Sequence, residues 1–252
     1  MATPKVGSIH VGVGGWNFAP WRGSFYPKGL PQTQELHYAS RELSSIEINS
    51  TFYGLQKPAT FEKWRDATPE GFIFSVKAPR FVMLRKDLAS AEPGMKRFLD
   101  SGILELGARL GPINWQLAPN KVFDTKEIAA FLEMLPRKLG GRPLRHALEA
   151  RHESFDCEEF VALAREHEVA IVEAGDSKYP RIQARTASFS YLRVMGSKAS
   201  APQGYTPAAL AKWSEHAKAL ARDGDVFFYF ISGAKERNPQ AARALMGTFP
   251  IS

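Results

Sequence analysis

Two periodicities take turns along the chain. Short runs that alternate apolar with polar positions, or are almost continuously apolar, fall at Ile9–Val13, Ser45–Asn49, Phe72–Lys77, Ile113–Leu117, His146–Arg151, Val169–Glu173, Phe189–Val194 and Val226–Ile231. These predict eight strands. Helical spacing fills most of the gaps: Gln32–Arg41, Thr60–Asp66, Met95–Leu106 before Gly107, Thr125–Lys138, Asp156–His167, Thr206–Ala221 and Pro239–Met246. Asp124 with Glu127 three residues later forms a capping-box signal for the helix opening at Thr125. Thr206-Pro207 is a cap followed by proline at the first helical position. The stretch Ala174–Ser188, with Gly175 and Pro180, has no helical period and predicts a loop.

Eight strands separated by crossover helices over 252 residues predict an α/β fold, a single-domain TIM-type (β/α)8 barrel. The competing architecture is an open doubly wound sheet. Its dinucleotide fingerprint is incomplete: Gly12-Val13-Gly14-Gly15-Trp16-Asn17 lacks the third glycine, and the pattern fits a tight exit from the first strand better.

In a closed barrel one strand parity faces the helices and the other fills the interior. Ile46 and Ile48 take the helix side, which sends Glu47 and Asn49 inward. By the same rule Ser75 and Lys77 point inward from the third strand and Asn114 and Gln116 from the fourth. Glu149 and Arg151 do so from the fifth, and Tyr191 and Arg193 from the seventh. Charged groups inside a barrel must pair with each other or meet a ligand, because an unpaired buried charge is very costly. Glu47, Lys77, Glu149, Arg151 and Arg193 carry two negative and three positive charges, so one positive charge is left over. Strand C-terminal ends are where barrel active sites form.

Composition changes this picture little. Hydrophobic residues make up 44% and charged residues 23%, which excludes disorder, collagen and coiled coil. The single cysteine, Cys157, excludes a disulfide framework; it opens a helix with no acid–histidine partner in view. Met1–Gly7 has no apolar run of signal-peptide length, and no stretch reaches the ~18 apolar residues of a span. The expectation is a cytoplasmic protein with no membrane partner. The formal net charge of +7 matters more. Fourteen basic and seven acidic residues fall on the strand tips and the loops that follow them, Arg22, Arg181 and Arg185 among the basic ones. The excess charge is therefore expected at one end of the barrel. The first of these loops is aromatic, with Trp16, Phe18, Trp21, Phe25 and Tyr26; Trp16 and Trp21 are its candidates for stacking on a ligand.

The chain resembles the YecE-like family (domain of unknown function 72). The resemblance runs through Gly14-Gly15-Trp16, Trp21-Arg22-Gly23-Ser24-Phe25-Tyr26-Pro27 and Glu47-Ile48-Asn49-Ser50-Thr51-Phe52-Tyr53. It continues through Trp64, Thr68-Pro69, Phe72–Pro79, Gln116-Leu117-Ala118-Pro119, Glu149-Ala150-Arg151-His152-Glu153-Ser154-Phe155, Tyr191–Gly196 and Tyr205. It implies a TIM-type barrel and carries no defined activity. One departure stands out: the family's Phe-Asn-Asn after the last strand is Phe230-Ile231-Ser232 here.

Of the six histidines only His152 falls at a strand top, which is too few for a zinc cluster amid basic neighbours, so no metal site is predicted. A lone Mg²⁺ on Glu47 or Glu149 with a substrate phosphate is the one cation the pattern leaves room for. Glu47 and Glu149 are the candidate catalytic pair, for hydrolysis of a phosphorylated or sugar-like substrate, although a cation beside each opposes a raised pKa. Asn49, Lys77, Gln116, Arg151, His152, Arg193, Trp16, Trp21 and Tyr191 are the candidate ligand contacts. The sequence thus predicts a small phosphorylated or carboxylated ligand at the C-terminal mouth. Nucleic acid gripped by a basic rim and loop aromatics is the alternative.

Overall fold

The computed structural model describes residues 6–249. Eight parallel strands close on themselves: β1 (Ile9–Gly14), β2 (Ser45–Ile48), β3 (Ile73–Lys77), β4 (Leu110–Gln116), β5 (His146–Glu149), β6 (Ala170–Glu173), β7 (Phe189–Val194) and β8 (Asp225–Phe230). Each pairs with its sequence neighbours, and β8 pairs with β1. This is a (β/α)8 barrel. Among the described residues, seven helices of eight or more residues pack outside it: α1 (Glu35–Glu42), α2 (Pro58–Asp66), α3 (Glu92–Leu99), α4 (Thr125–Glu133), α5 (Glu158–Glu166), α6 (Pro207–Ala221) and α7 (Asn238–Met246). No helix among the described residues is long and apolar enough to cross a membrane. Residues 1–5, on which part of the leader expectation rests, lie outside the described residues.

The helix ends follow local chemistry. Asp124 caps α4 by accepting the Glu127 N–H at 2.8 Å, and Thr206 caps α6 by accepting that of Ala209 at 3.2 Å. Both helices predicted to run long stop early. α4 ends before Pro136, which cannot continue a helix and restricts the residue ahead of it. α3 ends at Leu99, and the chain turns through Gly102 at φ +107° into a 3-10 stretch, Ile103–Arg109.

Alternation along the strands sorts two cores. Val11, Val13, Ile46, Ile48, Phe74, Val76, Ile113, Trp115 and Leu148 face the helices and are buried with the helices' apolar residues. The opposite parity fills the barrel in tiers. At the bottom His10 stacks on Phe227 with ring centroids 5.0 Å apart, beside Phe189. In the middle the Tyr229 hydroxyl lies 2.7 Å from Ser45 Oγ, and the Tyr191 hydroxyl lies 2.7 Å from Ser75 Oγ. Above these the residues become ionic.

The segment between β6 and β7 has no helix, as predicted. It closes its own face of the barrel with Ile182 and with Thr186, whose hydroxyl accepts the Ile171 N–H and donates to the Val169 carbonyl. Glu173 points outward from β6 and accepts hydrogen bonds from Arg181 and Gln183 of this segment; on α6, the His216 Nε2 lies 2.7 Å from its other oxygen. An outward carboxylate there replaces apolar helix packing with an ionic clasp.

Candidate functional site

Strand register brings the polar interior residues together in neighbouring layers toward the C-terminal end of the barrel. Glu47 lies beside Gly14 and Ser75, Lys77 beside Asn114, Gln116 beside Glu149, and Arg193 beside Tyr229. Arg193 is the hub. Its Nη2 donates to Glu47 Oε1 at 2.8 Å, and its Nη1 donates to Glu149 Oε2 and to Gln116 Oε1. Glu47 Oε2 accepts from the Tyr191 hydroxyl at 2.6 Å and from Asn114 Nδ2 at 3.0 Å. Glu149 Oε1 accepts from Arg151 Nε at 2.7 Å, and Arg151 Nη2 donates to Gln116 Oε1 at 2.9 Å. Every carboxylate oxygen of the pair therefore has a donor, and both glutamates are fully buried.

These bonds divide the five charges unequally. The two carboxylates take the two guanidiniums. Lys77 is left over: among the described residues it has no acidic partner within 4 Å, and its Nζ sits 4.2 Å from the centre of the Phe52 ring. The charge that the sequence count could not assign is this ammonium. Among the buried polar atoms of these layers, Arg193 Nε and Asn114 Oδ1 also lack a protein partner.

The electrostatics follow from that division. Burial alone would raise the Glu47 pKa, but Arg193, Lys77 and the Tyr191 and Asn114 hydrogen bonds outweigh it and hold the carboxyl below its usual range. Burial also pushes the Tyr191 phenol well up, with the Glu47 charge adding to it, so Tyr191 stays a donor. For Arg193, burial works against the charge but the two glutamates more than restore it. Lys77 moves the other way. Burial, and then the like charge of Arg193, lower it from 10.5 to about 8.

Above these layers opens a cavity of about 680 Å³ at the C-terminal ends of the strands. Lys77, Arg151, Arg193 and Gln116 form its floor, Asn49 and Lys235 its sides, and Trp16, Trp64, Phe52 and Tyr53 its apolar walls. Gly14 faces inward at the rim, where a Cβ would stand 2.7 Å from Asn49 Nδ2. The glycines of this segment thus serve packing and the left-handed turn at Gly15, φ +72°, that leaves β1. A second hollow, about 470 Å³, adjoins through Arg151, whose guanidinium lies over the Tyr179 ring at 4.4 Å; His152 and Lys178 line it.

The structure separates the predicted residues by depth. Trp16, Asn49, Lys77, Gln116, Arg151 and Arg193 line the main cavity. His152 lines the adjoining one, its Nδ1 2.9 Å from Ser154 Oγ. Glu47, Glu149 and Tyr191 lie beneath the floor. Trp21 does not reach either cavity. It is fully buried against Phe18, Phe25 and Tyr26, and its Nε1 donates to the Lys235 carbonyl at 2.9 Å, so it anchors the β1–α1 loop to the loop after β8. Phe52, Tyr53, Trp64 and Lys235 were not among the predicted contacts. Tyr53 is 69% exposed, the most exposed large apolar ring described.

The basic rim is weaker than the count suggested. Arg22 pairs with the buried Glu35, Arg181 with Glu173, and Arg185 with Asp223 at the opposite end of the barrel. None of those acids was counted at the mouth, so three of the seven excess charges are cancelled. No three metal-ligating side chains converge among the described residues. The oxygens of Glu47 and Glu149 face cationic and neutral donors, a setting that does not fit Mg²⁺.

The family described as "Protein of unknown function DUF72" matches residues 10–251. The chain belongs to the DUF72 family. It is similar to UPF0759 protein YecE of Escherichia coli strain K12, 28% identical over 150 residues, covering 58% of this chain and 50% of that protein. It is 34% identical over 153 residues to UPF0759 protein YunF of Bacillus subtilis strain 168, covering 58% and 52%. The aligned part thus spans about half the length of these curated relatives. Among solved structures, a DUF72 family protein of Thermotoga maritima MSB8 superposes with a TM-score of 0.75 at 25% identity, covering 96% of this chain and 98% of that one. In this DUF72 chain the two residues after β8 where the resemblance led us to expect asparagines, Ile231 and Ser232, both line the cavity, Ser232 with φ +54°.

Proposed function

We propose that the protein binds a small anionic molecule, phosphorylated or carboxylated, in the cavity at the C-terminal mouth. The observation that carries this reading is the unpaired Lys77 ammonium, set in a floor whose other charges neutralise one another. A buried cation without a counter-ion is expensive, and an anion in the cavity supplies the missing charge. Arg151 and Arg193, held rigid by Glu149 and Glu47, offer their remaining N–H groups to the same anion, and Asn49 and Gln116 face its polar parts. Trp16, Phe52, Trp64 and Tyr53 give the walls an apolar character suited to the ligand's carbon skeleton. Glu47 and Glu149 act here as struts for the guanidiniums, because all their oxygens are occupied; Glu47, held below the usual carboxylate range, is also unsuited to act as a general acid.

Isothermal titration of the wild type and Lys77→Met with a panel of phosphosugars, dicarboxylates and nucleotides tests this reading. At least one anion should bind the wild type and bind the variant roughly tenfold or more weakly, about 1.4 kcal/mol. Equal affinity in the two proteins, or no binding to the wild type across the panel, overturns it. Binding of single-stranded oligonucleotides that collapses with salt would favour a nucleic-acid partner instead.

A further inference from the structure

We propose that Lys77 is a nucleophilic amine that forms a Schiff base with the carbonyl carbon of a small anionic aldehyde or ketone held in the mouth cavity. The inference rests on the anion-binding reading and narrows its ligand class to carbonyl-bearing anions such as 2-oxo acids and phosphorylated ketoses or aldoses.

Four observations converge on this residue. First, Lys77 ends β3 and its amine opens onto a cavity large enough for such a molecule. Second, among the described residues the amine donates no hydrogen bond to a carboxylate, although Glu47 and Glu149 stand nearby, because Arg193 and Arg151 already occupy them. A lysine placed for structure in such a cluster would take an acid; this one is kept from it. Third, the groups that face Lys77 are mixed in charge. Arg193 from β7 and Arg151 after β5 repel its proton, Glu47 from β2 and Glu149 from β5 attract it less strongly than burial and Arg193 oppose it, and the Phe52 ring is uncharged. The net effect is a pKa near 8, so a useful fraction of free amine exists at neutral pH. Fourth, the guanidiniums that depress its basicity also offer a place for the ligand's anionic group.

The step balances without a further reactant. The protonated lysine first releases one proton to solvent. The free amine then attacks the carbonyl carbon: a C–N bond forms, and the carbonyl π pair moves to oxygen. Both amine hydrogens leave with that oxygen as water, and the resulting imine takes a proton from solvent. An ammonium and a carbonyl thus become an iminium and water, with the site's charge unchanged. The iminium is an electron sink next to the ligand's α-carbon.

The test treats the wild type near pH 8.5 with glyoxylate, pyruvate or dihydroxyacetone phosphate plus sodium cyanoborohydride, followed by intact mass and peptide mapping. The expected result is one reduced adduct on Lys77, formed at least tenfold faster than on any other lysine, slowed by sulfate and absent from Lys77→Arg. Mapping the site on the wild type keeps the result independent of how well the variant folds. Titration of the same probes without reductant distinguishes the two failures. Binding to the wild type without an adduct on Lys77 overturns the Schiff base and leaves the anion site standing. Absence of both binding and adduct overturns the Schiff base, and overturns the anion site as well when the wider panel of phosphosugars, dicarboxylates and nucleotides also fails to bind.

Discussion

Replacing Lys77 with Met should make the protein more stable near neutral pH. Met keeps the length and the apolar stem and deletes the charge. Arg193 and Arg151 continue to neutralise Glu47 and Glu149, so no carboxylate is left unpaired. The size follows from proton linkage. Lys77 titrates at its ordinary 10.5 in the unfolded chain and at about 8 in the fold, chiefly through burial and then Arg193. Between those values the unfolded chain binds more protons than the native state, so this residue's contribution to stability is lowest below pH 8 and rises with pH through that window. At about 1.36 kcal/mol per pH unit the full difference is roughly 3 kcal/mol, an upper figure for the gain from deleting the charge. For a chain of this size, that corresponds to a Tm increase of up to about 10 °C. Urea unfolding of wild type and variant in parallel, at about pH 7 and about pH 9.5, measures it, since every other titrating group is common to both. The variant should lead by about 1–3 kcal/mol at the lower pH and by clearly less at the higher. A variant less stable than wild type at pH 7, or a gap that ignores pH, refutes the reasoning.

Arg193→Met should do the opposite, because it strips a donor from two buried carboxylates at once; a loss of roughly 3–5 kcal/mol in urea unfolding is expected. Asp124→Ala removes the acceptor of the Glu127 N–H at the start of α4 and should cost about 1 kcal/mol without altering ligand binding. Ser232→Asn places a residue that tolerates left-handed backbone at φ +54° and should stabilise by about 0.5 kcal/mol, read as a small rise in Tm.

The contrast between Lys77 and Arg193 also marks what the sequence could show. Period-two alternation is rigid, so parity alone put Glu47, Lys77, Asn114, Gln116, Glu149, Tyr191 and Arg193 inside the barrel. The charge count exposed one surplus cation. Alternation does not encode depth, however. Whether a residue lines the cavity or lies under it depends on strand stagger, which places the Tyr191 hydroxyl below Glu47 and leaves Arg193 at the floor. Nor does it encode pairing, so the surplus charge had no address until the hydrogen bonds gave it one. Loops have no period to read. Trp21 turned inward as an anchor, whereas Tyr53, on the short helical turn after β2, stands exposed at the rim. Arg22 and Arg181 seemed free because their partners, Glu35 on α1 and Glu173 on the outer face of β6, meet them only in three dimensions.

The central claim is that Lys77 is a largely buried cation with no acidic partner among the described residues, facing a cavity that an anion can fill, and its own titration tests this most directly. Carbon-13 NMR of the lysine ε-methylenes, with Lys77→Met to assign the signal, reads its pKa with and without sulfate. The account predicts a midpoint near 8 that sulfate moves upward, because a bound anion favours the protonated amine. A midpoint near 10.5 that sulfate leaves in place would contradict it.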